Sequence, residues 1–182
     1  MEKVRMGIIG IGNMGSGHVR SFLEGEIGED VTLTAVADLR ESRRQWAGEY
    51  FEEMQTQGIK IFEDDRALIR SGMCDAVMVE IPHYEHPEVS VRAMKQGLHV
   101  LCEKPAGVYA KQVRWMNEEA LRSGCVFGLM FNMRADPVYR KMREVVQSGE
   151  MGEIKRVNWI TFLSSKKRSF FHMVKAHSRL LQ

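Results

Sequence analysis

The sequence predicts a doubly wound α/β fold, in which a parallel sheet is covered by helices on both faces. Apolar runs of strand length alternate with helically patterned segments from the N-terminus to about residue 150. The strand runs are almost continuously apolar, which is the mark of strands buried on both sides. A third observation is Gly10-Ile11-Gly12-Asn13-Met14-Gly15, a G-x-G-x-x-G turn placed directly after the first strand run and opening a helix.

The elements follow in order. VRMGIIG (4–10) is a β-rich run, followed by the glycine turn and a short helix over 15–23. VTLTAVAD (31–38) is the second strand, and ESRRQWAGEYFEEMQTQG is a helix stopped by Gly58. IKIF (59–62) is a short third strand, and EDDRALIRSG a helix closed by Gly72. DAVMVEIP (75–82) forms the fourth strand, HPEVSVRAMKQG the next helix, and HVLCEK (99–104) the fifth strand. Val113, Met116, Ala120 and Leu121 then share one helix face. VFGLMFN (126–132) is the sixth strand. Val138, Met142, Val145 and Val146 repeat the helical spacing before the GEMGE turn, and IKRVNWITF (154–162) starts a seventh strand. Right-handed crossovers between parallel strands place ligands at the carboxyl edge of such a sheet.

Composition narrows the classes. With 182 residues, 44% hydrophobic and 27% charged, the chain is long enough to bury a real core. No apolar run approaches the roughly 20 residues that span a bilayer, so no membrane partner is expected. The N-terminus, MEKVRMGIIGIG, pairs basic residues with an apolar run but has no small-residue cleavage site, and its glycines belong to the turn. Cys74, Cys102 and Cys125 are widely spaced in apolar contexts, which predicts neither a disulfide framework nor a metal site and favours a reducing cytoplasm. All 24 acidic residues precede Ile154, against 19 of the 26 basic ones. The alkaline character therefore belongs to the tail, and a nucleic-acid partner for the body is not expected.

The glycine turn has a specific physical reading. Gly10 permits the tight turn, Gly12 lets backbone approach a pyrophosphate, and Gly15 lets helix and strand pack closely, with the helix N-terminus facing phosphate charge. Asp38 ends the second strand, 23 residues past Gly15, where a carboxylate can accept hydrogen bonds from an adenosine ribose. A turn of purely structural glycines is the plain alternative. A methyltransferase would also use a glycine loop, but the acid it usually carries just ahead of the loop is missing. Leu39, Arg40, Arg43 and Arg44 follow the acid. Asp38 favours an unphosphorylated ribose, hence NAD, whereas a guanidinium from Arg40 or Arg43 suits the 2′-phosphate of NADP, and Arg44 reads as part of a solvated helix face.

Three strand ends converge on the same edge. The fourth ends in Ile81-Pro82-His83, with His86 opening the next helix; the fifth ends in Glu103-Lys104-Pro105; the sixth ends in Asn132-Met133-Arg134. His86 at a helix start reads first as a cap, and Arg134 as a surface charge. Lys104 differs, because proline anchors its backbone and the strand order aims it at the reactive end of a bound dinucleotide. A lysine there can orient a substrate hydroxyl or donate a proton to it. A salt bridge to a local acid is its plain alternative.

GIIGIGNMGSGH, Asp38, IPHYEHPEVSVRAM, GLHVLCEKPAG and FNMRADPVYRKMREVVQSGEMGEIKRVNW together resemble the glucose–fructose oxidoreductase, inositol dehydrogenase and rhizopine-catabolism (Gfo/Idh/MocA) oxidoreductases, over residues 4 to about 160. The EKP stretch is the most specific part of the match. The resemblance implies a Rossmann-type domain, NAD(P)-dependent oxidation or reduction at a hydroxyl-bearing carbon of a sugar, cyclitol or related polyol, a Lys104–Pro105 bond that is cis, and homo-oligomers. It makes Lys104 the candidate catalytic residue. Candidate cofactor contacts are Gly10, Ile11, Gly12, Asn13, Met14, Gly15, Asp38, Leu39, Arg40, Arg43, Ile81, Pro82, His83, His86, Glu103, Lys104, Asn132 and Arg134. Ile81 departs from the pattern, since a small hydroxyl residue usually precedes the proline.

Family members also carry a second α+β domain that binds substrate, supplies an Asp-x3-His pair and forms the oligomer interface. The expected organisation here is a dinucleotide-binding domain over 1–150 and, over 151–182, a remnant of that second domain with an atypical basic tail. ITFLSSKKRSFFHMVKAHSRLLQ contains no Asp and no Gly, and His172 and His177 fall outside the family pattern. An out-of-frame tail or early stop is one expectation, with cofactor binding but no efficient turnover. The other is a non-catalytic dinucleotide-binding or redox-sensing module whose tail, with FFHMVKAHSRLL as an amphipathic basic helix, docks a partner.

Overall fold

The computed structural model describes residues 2–162 and 171–176. The chain divides into two compact units, Met1–Phe131 and Asn132–Gln182.

In the first unit, β1 (Val4–Ile9), β2 (Val31–Ala37), β3 (Lys60–Phe62), β4 (Ala76–Val79), β5 (His99–Cys102) and β6 (Phe127–Leu129) form one sheet in the order β3-β2-β1-β4-β5-β6. Every pairing is parallel. The helices α1 (Asn13–Leu23), α2 (Glu41–Glu53), α3 (Asp65–Ile69), α4 (His86–Lys95) and α5 (Ala110–Ser123) connect successive strands. The order reverses between β1 and β4, and this is where an open α/β sheet forms a crevice at its carboxyl edge.

Because strand side chains alternate, adjacent residues feed opposite cores. Ile8, Val36 and Met78 pack with Val19 of α1 and Ala47 and Phe51 of α2. Ile9, Ala35, Ala37, Val77 and Val79 face the other way, onto Leu68, Val91, Met94 and Met116 from α3, α4 and α5. The near-continuous apolar strands of the sequence are thus two interleaved faces, both buried.

Helix ends explain where boundaries differ from expectation. α2 stops at Glu53 and not at Gly58, because the backbone N–H and hydroxyl of Thr56 both donate to the Phe51 carbonyl, at 3.0 and 3.1 Å, and Gln55 turns left-handed at φ 52°. Asp64 caps α3 by accepting from the Ala67 N–H at 2.7 Å. On α5, Val113, Met116 and Ala120 do face the core, but Leu121 is 86% exposed. At about 100° per residue it lies roughly a quarter-turn past the centre of that stripe.

The second unit holds a 3-10 turn (Asn132–Arg134), α6 (Pro137–Ser148), β7 (Val157–Phe162) and β8 (Phe171–Ala176). Asp136 caps α6 through the Val138 N–H at 2.8 Å, and Gly149 ends it at φ 78°. The predicted stripe of Val138, Met142, Val145 and Val146 is present, but α6 buries no residue. With Met151, Ile154 and Val157 the stripe lines an apolar groove of about 400 Å³. β7 pairs antiparallel with β8, from Val157 opposite Ala176 to Phe162 opposite Phe171. Residues 171–176 are therefore strand, not the amphipathic helix expected of the tail, and the rest of that expectation falls outside the described residues. Among the described residues no helix is long and apolar enough to cross a membrane.

The two faces of α4 and α5 make a direct test. Met94 is fully buried, so Met94→Ala is expected to cost about 2–5 kcal/mol in urea denaturation, whereas Leu121→Ala is expected to cost no more than about 0.5 kcal/mol.

Candidate functional site

The glycine turn is held at Gly10 and Gly15 by contacts that leave no space for a side chain. Gly10 has φ +90°, and a Cβ there would stand 2.7 Å from the Glu80 carbonyl oxygen and from Cγ2 of Ile81. Its N–H donates to the Ala37 carbonyl at 2.7 Å, which ties the turn to β2. A Cβ on Gly15 would collide with the Gly10 carbonyl, so α1 lies directly on the turn. Gly12 occupies the N-cap of α1 and gives no side-chain cap, and no acid sits in the first turn. The first N–H groups of the helix and its positive end are left for an anion.

In front of the turn lies a cavity of about 610 Å³. Of the residues predicted for the site, Gly10, Gly12, Asn13, Met14, Asp38, Leu39, Arg40, Ile81 and Pro82 line it. Ile11 and Gly15 are buried in the turn behind it. Arg43, His83, His86, Glu103 and Lys104 are not on its wall. Asn132 and Arg134 belong to the second unit, in the 3-10 turn.

Asp38 is 7% exposed, and both its oxygens are fully engaged. Oδ2 accepts from the Ile11 N–H at 2.9 Å and Arg40 Nη2 at 3.1 Å; Oδ1 accepts from the Arg40 N–H at 2.9 Å and Arg40 Nε at 3.0 Å. Burial alone would raise this carboxyl, but the Arg40 guanidinium and the two backbone N–H groups outweigh it and hold the acid below its ordinary range. A ribose that uses Asp38 must displace the Arg40 side chain, which is 61% exposed.

The neighbouring arginines have other work. Arg43 donates to the carbonyls of Ile11 at 2.6 Å and Gly12 at 3.0 Å while its guanidinium lies 5.0 Å from the Trp46 ring centroid. It clamps the glycine turn from α2. Arg44, expected on a solvated face, instead donates to the carbonyls of Asp38 and Leu39, both at 2.8 Å. Those carbonyls lie past the last ladder bond of β2, and the arginine of the following helix fills that gap.

At the β4 and β5 ends, Lys104–Pro105 is cis. The Lys104 N–H donates to Glu103 Oε2 at 2.6 Å, and the exposed Lys104 ammonium makes no ion pair among the described residues. His86 is buried, with Nδ1 2.8 Å from the Pro105 carbonyl oxygen and Nε2 2.8 Å from that of Ile81. It joins the two strand ends more than it caps α4.

Two residues of this edge were not singled out by sequence reasoning. Glu80 follows β4 with its side chain fully enclosed, and neither carboxyl oxygen has a hydrogen-bond partner. Burial, and secondarily the Glu103 charge, pushes it up to about 8. His18 on α1 brings Nε2 to 3.7 Å from Glu80 Oε1, and burial lowers this imidazole against a smaller opposing effect of Glu103. An acid inside the apolar run DAVMVEIP was the available signal.

A turn built for phosphate, an acid at the end of β2 and a crevice at the strand-order reversal define a dinucleotide-binding protein of the Rossmann type. Residues 4–131 match the Gfo/Idh/MocA oxidoreductase family model, described as an NAD-binding Rossmann fold, and the chain belongs to that family. It is 31% identical over 155 residues to the rhizopine catabolism protein MocA of Rhizobium meliloti, covering 85% of this chain and 45% of that protein. Identity is also 31% over 150 residues with the myo-inositol 2-dehydrogenase of Thermotoga maritima, covering 82% and 42%. The crystal structure of myo-inositol 2-dehydrogenase from Lactobacillus plantarum superposes with a TM-score of 0.77 at 27% identity, over 88% of this chain and 45% of that one. The chain thus spans less than half the length of these relatives. NAD is the cofactor class of the family, and the uncapped α1 terminus and Gly10–Gly15 cradle fit it.

Glu80 sets a pH dependence whose sign is fixed. Its native value near 8 lies above the ordinary 4.5, so across that interval the folded state holds a proton that the unfolded state releases. Stability is highest below the lower value and falls as pH rises towards the upper one. In metal-free buffer, Glu80→Gln is expected to flatten this fall and to gain up to a few kcal/mol near pH 8 relative to wild type. Urea denaturation of both proteins at several pH values checks it, and parallel curves would refute it.

Proposed function

We propose that this chain is the cofactor-binding part of an NAD-dependent dehydrogenase that oxidises a cyclitol or sugar at a hydroxyl-bearing carbon. The observation that carries the reading is the cavity enclosed by Gly10, Gly12, Asp38 and Arg40 at the strand-order reversal. In this reading residues 1–150 are the dinucleotide-binding domain and 151–182 a remnant of a second domain with an atypical basic tail. The substrate class is supported by relatives named for inositol dehydrogenation, and by the D-glucoside 3-dehydrogenase of Escherichia coli, 32% identical over 125 residues. A cytoplasmic setting is supported by three cysteines that are all free.

Bound NAD supplies the hydride acceptor. The backbone N–H groups around Gly12 and the α1 terminus hold the pyrophosphate, and Asp38 takes the ribose hydroxyls once Arg40 has moved. Lys104, anchored by Pro105 and by its own N–H on Glu103, holds the substrate oxygen through its ammonium. Arg40 remains beside the ribose position, so a 2′-phosphate would find a counter-charge there.

Calorimetric titration with NADH and NADPH tests the assignment. The wild type is expected to bind NADH; Asp38→Ala is expected to weaken NADH about tenfold, the loss of one or two hydrogen bonds to a charged acceptor, while sparing NADPH. Arg40→Ala is expected to strengthen NADH binding, because it removes the competitor for Asp38, and to weaken NADPH. The assignment falls if neither nucleotide binds, or if Asp38→Ala leaves NADH binding unchanged.

A further inference from the structure

Glu80, His18 and Glu103 come from β4's end, α1 and β5's end, and one ligand atom of each lies within 4.8 Å of the other two. The cluster borders the dinucleotide cavity, whose wall includes Glu80. The Glu80 side chain is fully enclosed, and neither of its oxygens, nor Nε2 of His18, has a hydrogen-bond partner. Burying a carboxylate with no donor costs several kcal/mol, and a second carboxylate beside it adds repulsion. Glu80 faces the His18 imidazole and the Glu103 carboxylate, and no backbone N–H or hydroxyl among the described residues donates to it. A cation at the centre would satisfy all three groups together, whereas a single proton on Glu80 serves one contact only.

We infer that His18, Glu80 and Glu103 form a binding site for one first-row divalent cation, Zn²⁺ or Mn²⁺. Two carboxylates and an imidazole balance a double charge and present a mixed nitrogen–oxygen set. That set suits borderline first-row ions; soft ions prefer sulfur, and Ca²⁺ takes six to eight oxygens. Metal–ligand bonds near 2.1 Å put tetrahedral ligand atoms roughly 3.4 Å apart. The His18–Glu80 distance of 3.7 Å is already close to this, and the widest separation needs to close by about 1.4 Å. Glu103 is oriented from outside by the Lys104 N–H at 2.6 Å, the kind of supporting bond that metal ligands carry. The ion would join the helix that follows the glycine turn to the strand ends that lead into Pro82 and Lys104.

The test uses the full, tag-free chain after chelator treatment, titrated with Zn²⁺, Mn²⁺ and Co²⁺ by calorimetry, with Co²⁺ absorption and Mn²⁺ spin resonance as direct reports of the ligands. One equivalent is expected to bind and to raise the Tm. Glu80→Gln and His18→Gln, with folding checked by circular dichroism, are each expected to weaken binding at least about tenfold and to change the Co²⁺ spectrum. Glu80→Ala serves as the second variant at that position. The inference is overturned if the wild type takes up no stoichiometric ion, or if uptake and spectrum are the same in the Glu80 variants. It is equally overturned if the Glu80 carboxyl carbon titrates by NMR with no response to any of the three ions, which would mean a shared proton. NADH titration of the metal-free samples reads the dinucleotide assignment independently.

Discussion

The contact of Gly10 with the end of β4 is the constraint on which the rest of the site depends. The turn passes so close to the Glu80 carbonyl and the Ile81 side chain that any Cβ would overlap them, and α1 then lies on the Gly10 carbonyl itself. This double approach carries the chain from the sheet into a helix within three residues, and it exposes the uncapped end of that helix to the crevice. Arg43 closes the arrangement from α2 by taking the Ile11 and Gly12 carbonyls. The turn is fixed by sterics on one side and by a charge-assisted clamp on the other, before any ligand arrives.

The edge formed by the β4 and β5 ends is built differently, around polar groups held away from water. His86 spans the carbonyls of Ile81 and Pro105, and Glu103 receives the Lys104 N–H. Lys104 is thereby placed by its backbone, with its ammonium left exposed. Glu80 is the exception in this economy, a buried acid without a hydrogen bond, and unpaired groups of this kind are retained where something other than packing uses them.

The sheet and its ligand edge were legible in the sequence because they rest on local rules. Strand runs, helix spacing and the glycine pattern are encoded within a few residues of one another, whereas the β1–β4 reversal is set by how the strands assemble. Leu121 was misplaced because a spacing of three, four and one residues is nearly but not fully on one face. Arg44 looked solvated because nothing adjacent in the chain shows that the β2 carbonyls come within its reach. The meeting of residues 18, 80 and 103 is a product of the tertiary fold, and no spacing rule connects them.

The Asp38–Arg40 pair makes the acid its own first ligand. Any molecule that seeks this carboxylate meets a competitor tethered two residues away, whose effective concentration does not change with dilution. The observed affinity for such a molecule is its intrinsic affinity reduced by the fraction of time the guanidinium is away. Rising ionic strength loosens this half-exposed pair, so it enlarges that fraction and, for a phosphate-bearing molecule seated at the turn, would offset part of the screening of its charge. The crevice therefore contains its own partial compensation for salt, set by one side chain.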